Sequence, residues 1–346
     1  MHKKTVRSGY IYRAQRRLVI LGCLTILLLL LAGVAATLGS YPLGIAEVYR
    51  TILAGPGSGL DTEIIVWQYR LPRVIMAILA GAALGFAGAV MQGILRNPLA
   101  SPFTLGIASA ASFGASLAIV LGAGFAGSGS LIVGNAFLFT LIAAAAVYGL
   151  ARYRGISPET MIMAGIAIMY LFSAMTSFLQ YIGTSEDVHE VVFWMLGSLG
   201  RSTWNTVIVA GIILCLIFPA FMYMARNFNT LAAGDEAATS LGVPVEHVRI
   251  TGMAGASLLT AAVICFTGTI GFIGLVAPHI TRMVMGGDHR YLLPGTALMG
   301  SLLLLGADSI GRTIMAPQIL PVGIMTSFLG VPFFIYLFLR RRRDYW

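Results

Sequence analysis

Charge is what this sequence has least of. Only 10% of its 346 residues are Asp, Glu, Lys or Arg, and 58% are hydrophobic. Soluble chains carry about 25% charged residues, so domains of ordinary size could not hide this much apolar surface from water. The solvent for most of the chain is lipid. Lysine is scarcer still, occurring only at Lys3 and Lys4. A Gly-x-x-x-x-Gly-Lys-Ser/Thr phosphate loop therefore cannot exist in this chain, and any nucleotide that drives it must be bound by another subunit. There is no His-Glu-x-x-His, no Gly-x-Ser-x-Gly and no close pair of intramembrane carboxylates. These absences argue against a membrane protease, an esterase and a proton-coupled pump. The three cysteines, Cys23, Cys215 and Cys265, fall far apart inside apolar runs. Neither a disulfide framework nor a Cys/His metal cluster is suggested, and they read as small buried hydrophobes.

What the chain has instead is long apolar runs. Residues 18–38, 74–94, 131–150 and 207–225 approach or reach the roughly 20 residues that cross a hydrocarbon core of about 30 Å. The run at 18–38 is longer than the h-region of a cleavable signal, about 7–15 residues, and is read as a retained first span. The full pattern predicts an all-α polytopic membrane protein with about ten transmembrane helices, near 18–38, 71–94, 104–124, 130–151, 158–182, 204–225, 249–269, 273–286, 292–311 and 321–339. A basic segment, 1–17, precedes the permease domain 18–339, and a basic tail, 340–346, follows it.

The formal charge of +9 could suggest nucleic acid, but its placement gives another meaning. With the N-terminus in the cytoplasm, Lys3, Lys4, Arg7, Arg13, Arg16, Arg17, Arg96, Arg152, Arg154, Arg226, Arg249, Arg282, Arg290 and Arg340 through Arg343 fall on one side. Only Arg50, Arg70, Arg73, Arg201 and Arg312 fall on the other, a division of 17 against 5. That is the asymmetry of the positive-inside rule, which places both termini in the cytoplasm and a multi-pass protein in the cell membrane.

Several details refine this outline. The eighth span is short and carries Pro278 and His279, as a half-length helix buried against protein would. His279 reads as a structural histidine. Residues 39–69 include an amphipathic piece at 45–53, and 183–203 hold the acidic patch Glu186, Asp187 and Glu190. The loop 226–248 is polar and helix-forming, with Asp235 and Glu236 opening a short helix whose dipole favours acids there. Gly81, Gly85 and Gly88 recur on one face of the second span, where small residues let helices approach closely. Residues 71–182 and 249–339 each hold four spans and start from opposite sides, which allows an inverted repeat geometrically. Asp308 lies four residues before Arg312, the spacing of an ion pair along a helix near the outer interface.

Particular strings carry more. Arg70-Leu71-Pro72-Arg73, Gln92-Gly93, Arg96-Asn97-Pro98-Leu99-Ala100 and Leu105-Gly106 closely resemble the FecCD-type permeases of ABC importers, which serve siderophores, haem and cobalamin. So do Gly268-Thr269-Ile270-Gly271-Phe272-Ile273-Gly274-Leu275, Pro278-His279, Asp288-His289-Arg290, Leu293-Pro294, Asp308 with Arg312, and Leu320-Pro321-Val322-Gly323. The match runs collinearly from about residue 40 to the C-terminus. The resemblance implies the type II importer permease fold and a second permease subunit, expected to be an identical copy. It also implies two cytosolic ATPases that use ATP and Mg, and an extracytoplasmic substrate-binding protein. It implies no cofactor in this chain and no enzyme activity of its own.

Residue by residue, the resemblance places binding-protein docking at Arg70, Arg73 and Arg312, whose planar forks suit carboxylates. It places ATPase coupling at Gly234, Asp235, Glu236, Ala237, Leu241 and Gly242, a short helix stopped by Gly242 and Pro244. It places a cytoplasmic gate at Asn97 and Leu99, with Ser157 as a further candidate. The expected function is alternating-access import of an iron(III)-siderophore or related metal chelate, with haem or cobalamin as the alternative cargo. A secondary transporter or channel would need charge networks or selectivity rings within the spans, for which Asp308 alone is a candidate.

Overall fold

The computed structural model describes residues 2–39, 41–124 and 130–340. The basic tail expected at the C-terminus falls, beyond Arg340, outside the described residues. Those described form helices and no strand: α1 His2–Thr37, α2 Ile45–Ala54, a π-helical turn Ile64–Arg70 running into α3 Leu71–Ile94, α4 Ile107–Leu121, α5 Leu131–Arg154, α6 Pro158–Ile182, α7 Ser185–Met195, α8 Trp204–Leu231, α9 Asp235–Ser240, α10 Val245–Thr267, α11 Ile273–Met285, α12 His289–Thr313 and α13 Val322–Arg340. Seven stretches are long and apolar enough to span a bilayer, and α4, α11 and α13 are shorter apolar helices. Together these match the expected ten in place and order.

Helix α3 is the axis of the bundle, and glycine is the reason it can be. A Cβ on Gly81 would collide with the Gly300 carbonyl oxygen of α12. The backbones of α3 and α12 therefore touch directly, antiparallel, so that Arg73 faces Asp308 at one end and Gly93 faces His289 at the other. Without a hydrophobic force between helices in lipid, this close contact supplies the dispersion energy that holds the pair.

The two shorter inner helices begin inside the bundle. The chain leaves α3 at Leu95 and turns back inward, reaching Gly106 packed on α6. There φ is +75° and a Cβ would lie 2.7 Å from the Met169 nitrogen. The start of α11 and the segment before it meet this re-entrant loop: a Cβ on Gly274 would touch Pro102, and one on Gly271 would touch the Phe103 ring. Residues 100–106 and 267–273 are mostly buried against protein, the condition under which non-helical backbone is tolerated at membrane depth. The expectation of a half-length eighth helix holds, and α4 adds a second that the sequence reading had drawn longer.

The cysteine expectation is corrected in part. Cys265 is buried, but Cys23 and Cys215 are exposed on outward helix faces, where a bilayer accepts a thiol as readily as a core would.

Candidate functional sites at the two ends of the bundle

One end is organised by arginine. Arg73 grips Asp308 with a two-pronged contact, Nη2 to Oδ1 at 2.7 Å and Nε to Oδ1 and Oδ2 at 3.0 and 3.2 Å. Arg312 Nε lies 2.9 Å from Asp308 Oδ2, completing the expected four-residue pair as a Coulombic contact without the alignment of a directed hydrogen bond. Its Nη1 donates to the Leu38 carbonyl at 2.9 Å. Arg70 donates to the carbonyls of Ala36, Thr37 and Tyr41. Helix α1 ends at Thr37, so the Ala36 and Thr37 carbonyls are left without partners at a helix terminus, and a cationic donor suits both them and the dipole.

The three arginines expected to face outward are therefore turned inward. The side chain of Arg312 is 3% exposed and that of Arg73 12%, and Arg70 is buried as well. The sequence reading paired Asp308 with its helical neighbour and missed Arg73, 235 residues away in sequence. The exposed arginines at this end are Arg50 and Arg201. The cluster nonetheless keeps three guanidinium groups against one carboxylate, and Arg312 Nη2 is buried without a hydrogen-bond partner.

At the other end stand the segments expected to form the coupling helix and the gate. Helix α9 is six residues long, opened by Gly234 at φ +110° with Asp235 and Glu236 in its first turn. It presents Leu241, 73% exposed, at its tip, and Gly242 follows at φ +81° with no atom within 4 Å of a Cβ placed there. Ala237 lies partly buried beside the buried Ala238, the point where α9 rests on the bundle.

The gate turn is built on the end of α3. Asn97 N donates to the Gln92 carbonyl and Arg96 N to Gly93, the paired bonds of a Schellman ending, which puts Arg96 at φ +46° where glycine is usual. Asn97 Oδ1 then accepts from Leu99 N at 2.9 Å, and Ala100 N returns to the Asn97 carbonyl. Asn97 thus braces the turn, and Leu99, 56% exposed, is the side chain presented. Ser157 Oγ accepts from Thr160 N at 3.2 Å while Ser157 N donates to Thr160 Oγ1. That makes Ser157 the cap of α6, which accounts for its polarity.

Two residues outside the expected sites join these segments. Arg249 is 1% exposed. Its Nε donates to the Ile94 carbonyl, its Nη1 to the Ile156 carbonyl and its Nη2 to Asp235 Oδ1 at 2.7 Å. Arg96 Nη2 approaches the same Asp235 oxygen at 3.6 Å. The signal for a buried Arg249 was in the sequence: Arg249, Gly252, Met253 and Ala256 share the buried stripe of α10, the spacing of a helix face. It had been counted only as a cytoplasmic charge.

The Asp288-His289-Arg290 string is a further knot at this end. Asp288 receives Arg290 Nη2 at 2.7 Å, Asn229 Nδ2 at 2.8 Å and Arg17 Nη1 at 3.3 Å. It thereby links α1, α8 and the start of α12. Burial alone would raise the Asp288 pKa, but the donors from Arg290 and Asn229, aided by the Arg290 charge, outweigh it and hold the carboxyl at about 2.

Among the described residues, seven apolar helices long enough to span a bilayer and three shorter ones, two of which meet at irregular backbone inside the bundle, with a polar knob at one end, define a multi-pass transport permease. The chain belongs to the FecCD transport family, which it matches over residues 24–340. It is 40% identical over 336 residues to the hemin transport system permease protein HmuU of Yersinia pestis, covering 96% of this chain and 98% of that one. It is 37% identical to the Fe(3+) dicitrate transport system permease protein FecD of Escherichia coli, covering 91% and 97%. A solved structure described as an inward-facing conformation of a metal-chelate type ABC transporter superposes with a TM-score of 0.83 at 32% identity, covering 93% of this chain and 99% of that one.

Proposed function

We propose that this permease works with two cytosolic ATPases, a second copy of itself and an extracytoplasmic binding protein to import an iron(III)-siderophore or related metal chelate by alternating access. One observation carries the reading: a short exposed helix, α9, stands at one end of a bundle whose FecCD match is nearly full-length. A helix of six residues is too short to persist on its own, and a rigid knob tipped by Leu241 is suited to a cleft on a partner. The end bearing α9 also carries Arg17 and Arg290, and α1 and α13 both have their outer termini there, so the charge asymmetry supports a cytoplasmic location for it.

Docking of the binding protein belongs at the opposite end. The support is electrostatic: Arg70, Arg73 and Arg312 exceed their single carboxylate by two charges, and Arg312 Nη2 has no partner. An acidic partner surface would be attracted to this field. At the gate, Leu99 closes against its counterpart in the second copy, with Asn97 and Ser157 holding the turns in place. Relatives named for hemin and for Fe(3+) dicitrate favour a ferric or haem-like cargo. Mass spectrometry of ligands retained by the cognate binding protein identifies it.

The test of coupling is Gly242→Trp in the reconstituted transporter. No atom lies within 4 Å of a Cβ there, so the penalty inside the chain is that of the left-handed backbone at φ +81°, about 1–2 kcal/mol, and folding persists. Uptake is expected to fall by about tenfold or more, the scale of an ordinary coupling free energy. Wild-type uptake would remove α9 from the mechanism.

A further inference from the structure

Arg249 has no place in the scheme so far, yet it bonds to every moving part of it. Its three donors reach three elements: Asp235 at the start of α9, the Ile94 carbonyl at the end of α3, and the Ile156 carbonyl in the turn before α6. Ile94 is two residues before Arg96, where the turn presenting Leu99 begins, and Ile156 adjoins Ser157. Arg96 reaches back from that turn to the same Asp235 oxygen. Glu159, in the first turn of α6, lies within electrostatic range of both Arg96 and Arg249.

A residue needed only for packing would not be arginine. A buried charge costs several kcal/mol in lost hydration, and an apolar side chain of similar volume is often as stable or more so. What arginine adds is geometry: a planar fork that fixes three acceptors relative to one another. Asp235, with its side chain 37% exposed, is the one acceptor of the three that sits on the docking helix. The other two are main-chain carbonyls of the turns that bear the gate. A displacement of α9 pulls on Asp235, and the fork cannot follow without carrying Ile94 and Ile156 along.

We propose that Arg249 is a positioning residue that transmits movement of α9 to the turn bearing Leu99 and to the turn before α6. This rests on the reading of α9 as the ATPase-docking helix and adds the route by which its motion reaches the gate. The link is a contiguous ion pair with two charge-assisted hydrogen bonds to main-chain carbonyls, removed together at Arg249 or at the ion pair alone through Asp235.

The test uses the whole transporter in liposomes, with Cys23, Cys215 and Cys265 replaced by Ala and spin labels attached after Ser240→Cys or Leu99→Cys. Label-to-label distances across the two copies are measured by pulsed electron resonance with and without ATP. In the otherwise unmodified chain both labels shift. In Arg249→Met and in Asp235→Ala the label at 240 still shifts while the label at 99 stays in its nucleotide-free distribution, and substrate moved per ATP hydrolysed falls about tenfold. Arg249→Lys keeps the charge without the fork and is expected to restore only part of the shift at 99. A full shift at 99 in both Arg249→Met and Asp235→Ala overturns the proposal while leaving the importer reading intact. If Arg249→Met fails to assemble, Asp235→Ala, on the half-exposed partner, decides the question. If neither label responds to ATP in the unmodified chain, the reading of α9 fails and the proposal with it.

Discussion

Asp308 is a single carboxylate placed between two guanidinium groups, and its side chain is 1% exposed. Removing one partner of a buried ion pair costs about 3–5 kcal/mol, because the remaining charges lose their compensation. Asp308→Asn is therefore expected to lower the thermal unfolding midpoint in detergent strongly, and an unchanged midpoint would contradict the geometry. The same geometry changes what an outer-end charge reversal reports. Arg73→Glu would set two carboxylates face to face, so loss of docking in that variant would be confounded with misfolding. Arg201→Glu, at an exposed position of the same end, separates the two: weaker binding-protein docking with an unchanged unfolding midpoint is expected. Asp288 makes a pH prediction. Its folded pKa of about 2 lies below the ordinary value of about 3.9. The stability it contributes is complete above about pH 4 and is lost as pH falls through about 2. Unfolding midpoints measured across that window should decline more steeply for the unmodified protein than for Asp288→Asn.

Among the elements, glycine positions divide into two kinds that the sequence alone could not separate. Gly81 leaves no room for a Cβ, while Gly149 in α5 has nothing within 4 Å of one. Gly81→Ala should destabilise by about 1–3 kcal/mol through forced separation of α3 and α12. Gly149→Ala should leave stability unchanged or raise it by up to about 1 kcal/mol through helix propensity. Melting curves of the pair test both signs together. The element pattern itself was legible. Apolar runs gave the ten helices, Pro278 and the short run flagged α11, and the amphipathic piece at 45–53 appears as α2. What was not legible is tertiary. Charge placement showed which end Arg73 and Arg249 occupy, but not that each turns inward to partners far along the chain. Nor did it show that Asn97 braces its turn and Ser157 caps α6, since a turn brace and a helix cap use the same side chains as a gate would.

For the whole molecule, the chain carries alternating helices, an inward-turned arginine cluster at one end and a knob tied to the gate turn at the other. Such an arrangement suits a transport permease of the FecCD family. On the proposed reading, motion enters at the knob and substrate passes between the two copies. A secondary transporter would instead draw on an ion gradient through intramembrane charges, and Asp308, the carboxylate within a span, is held by Arg73 and Arg312. The most direct test is uptake of a ferric-siderophore into liposomes holding the chain with its partner ATPase, with the binding protein outside and ATP inside. Accumulation that requires both ATP and the binding protein is predicted. Accumulation driven by an ion gradient without either would contradict the account.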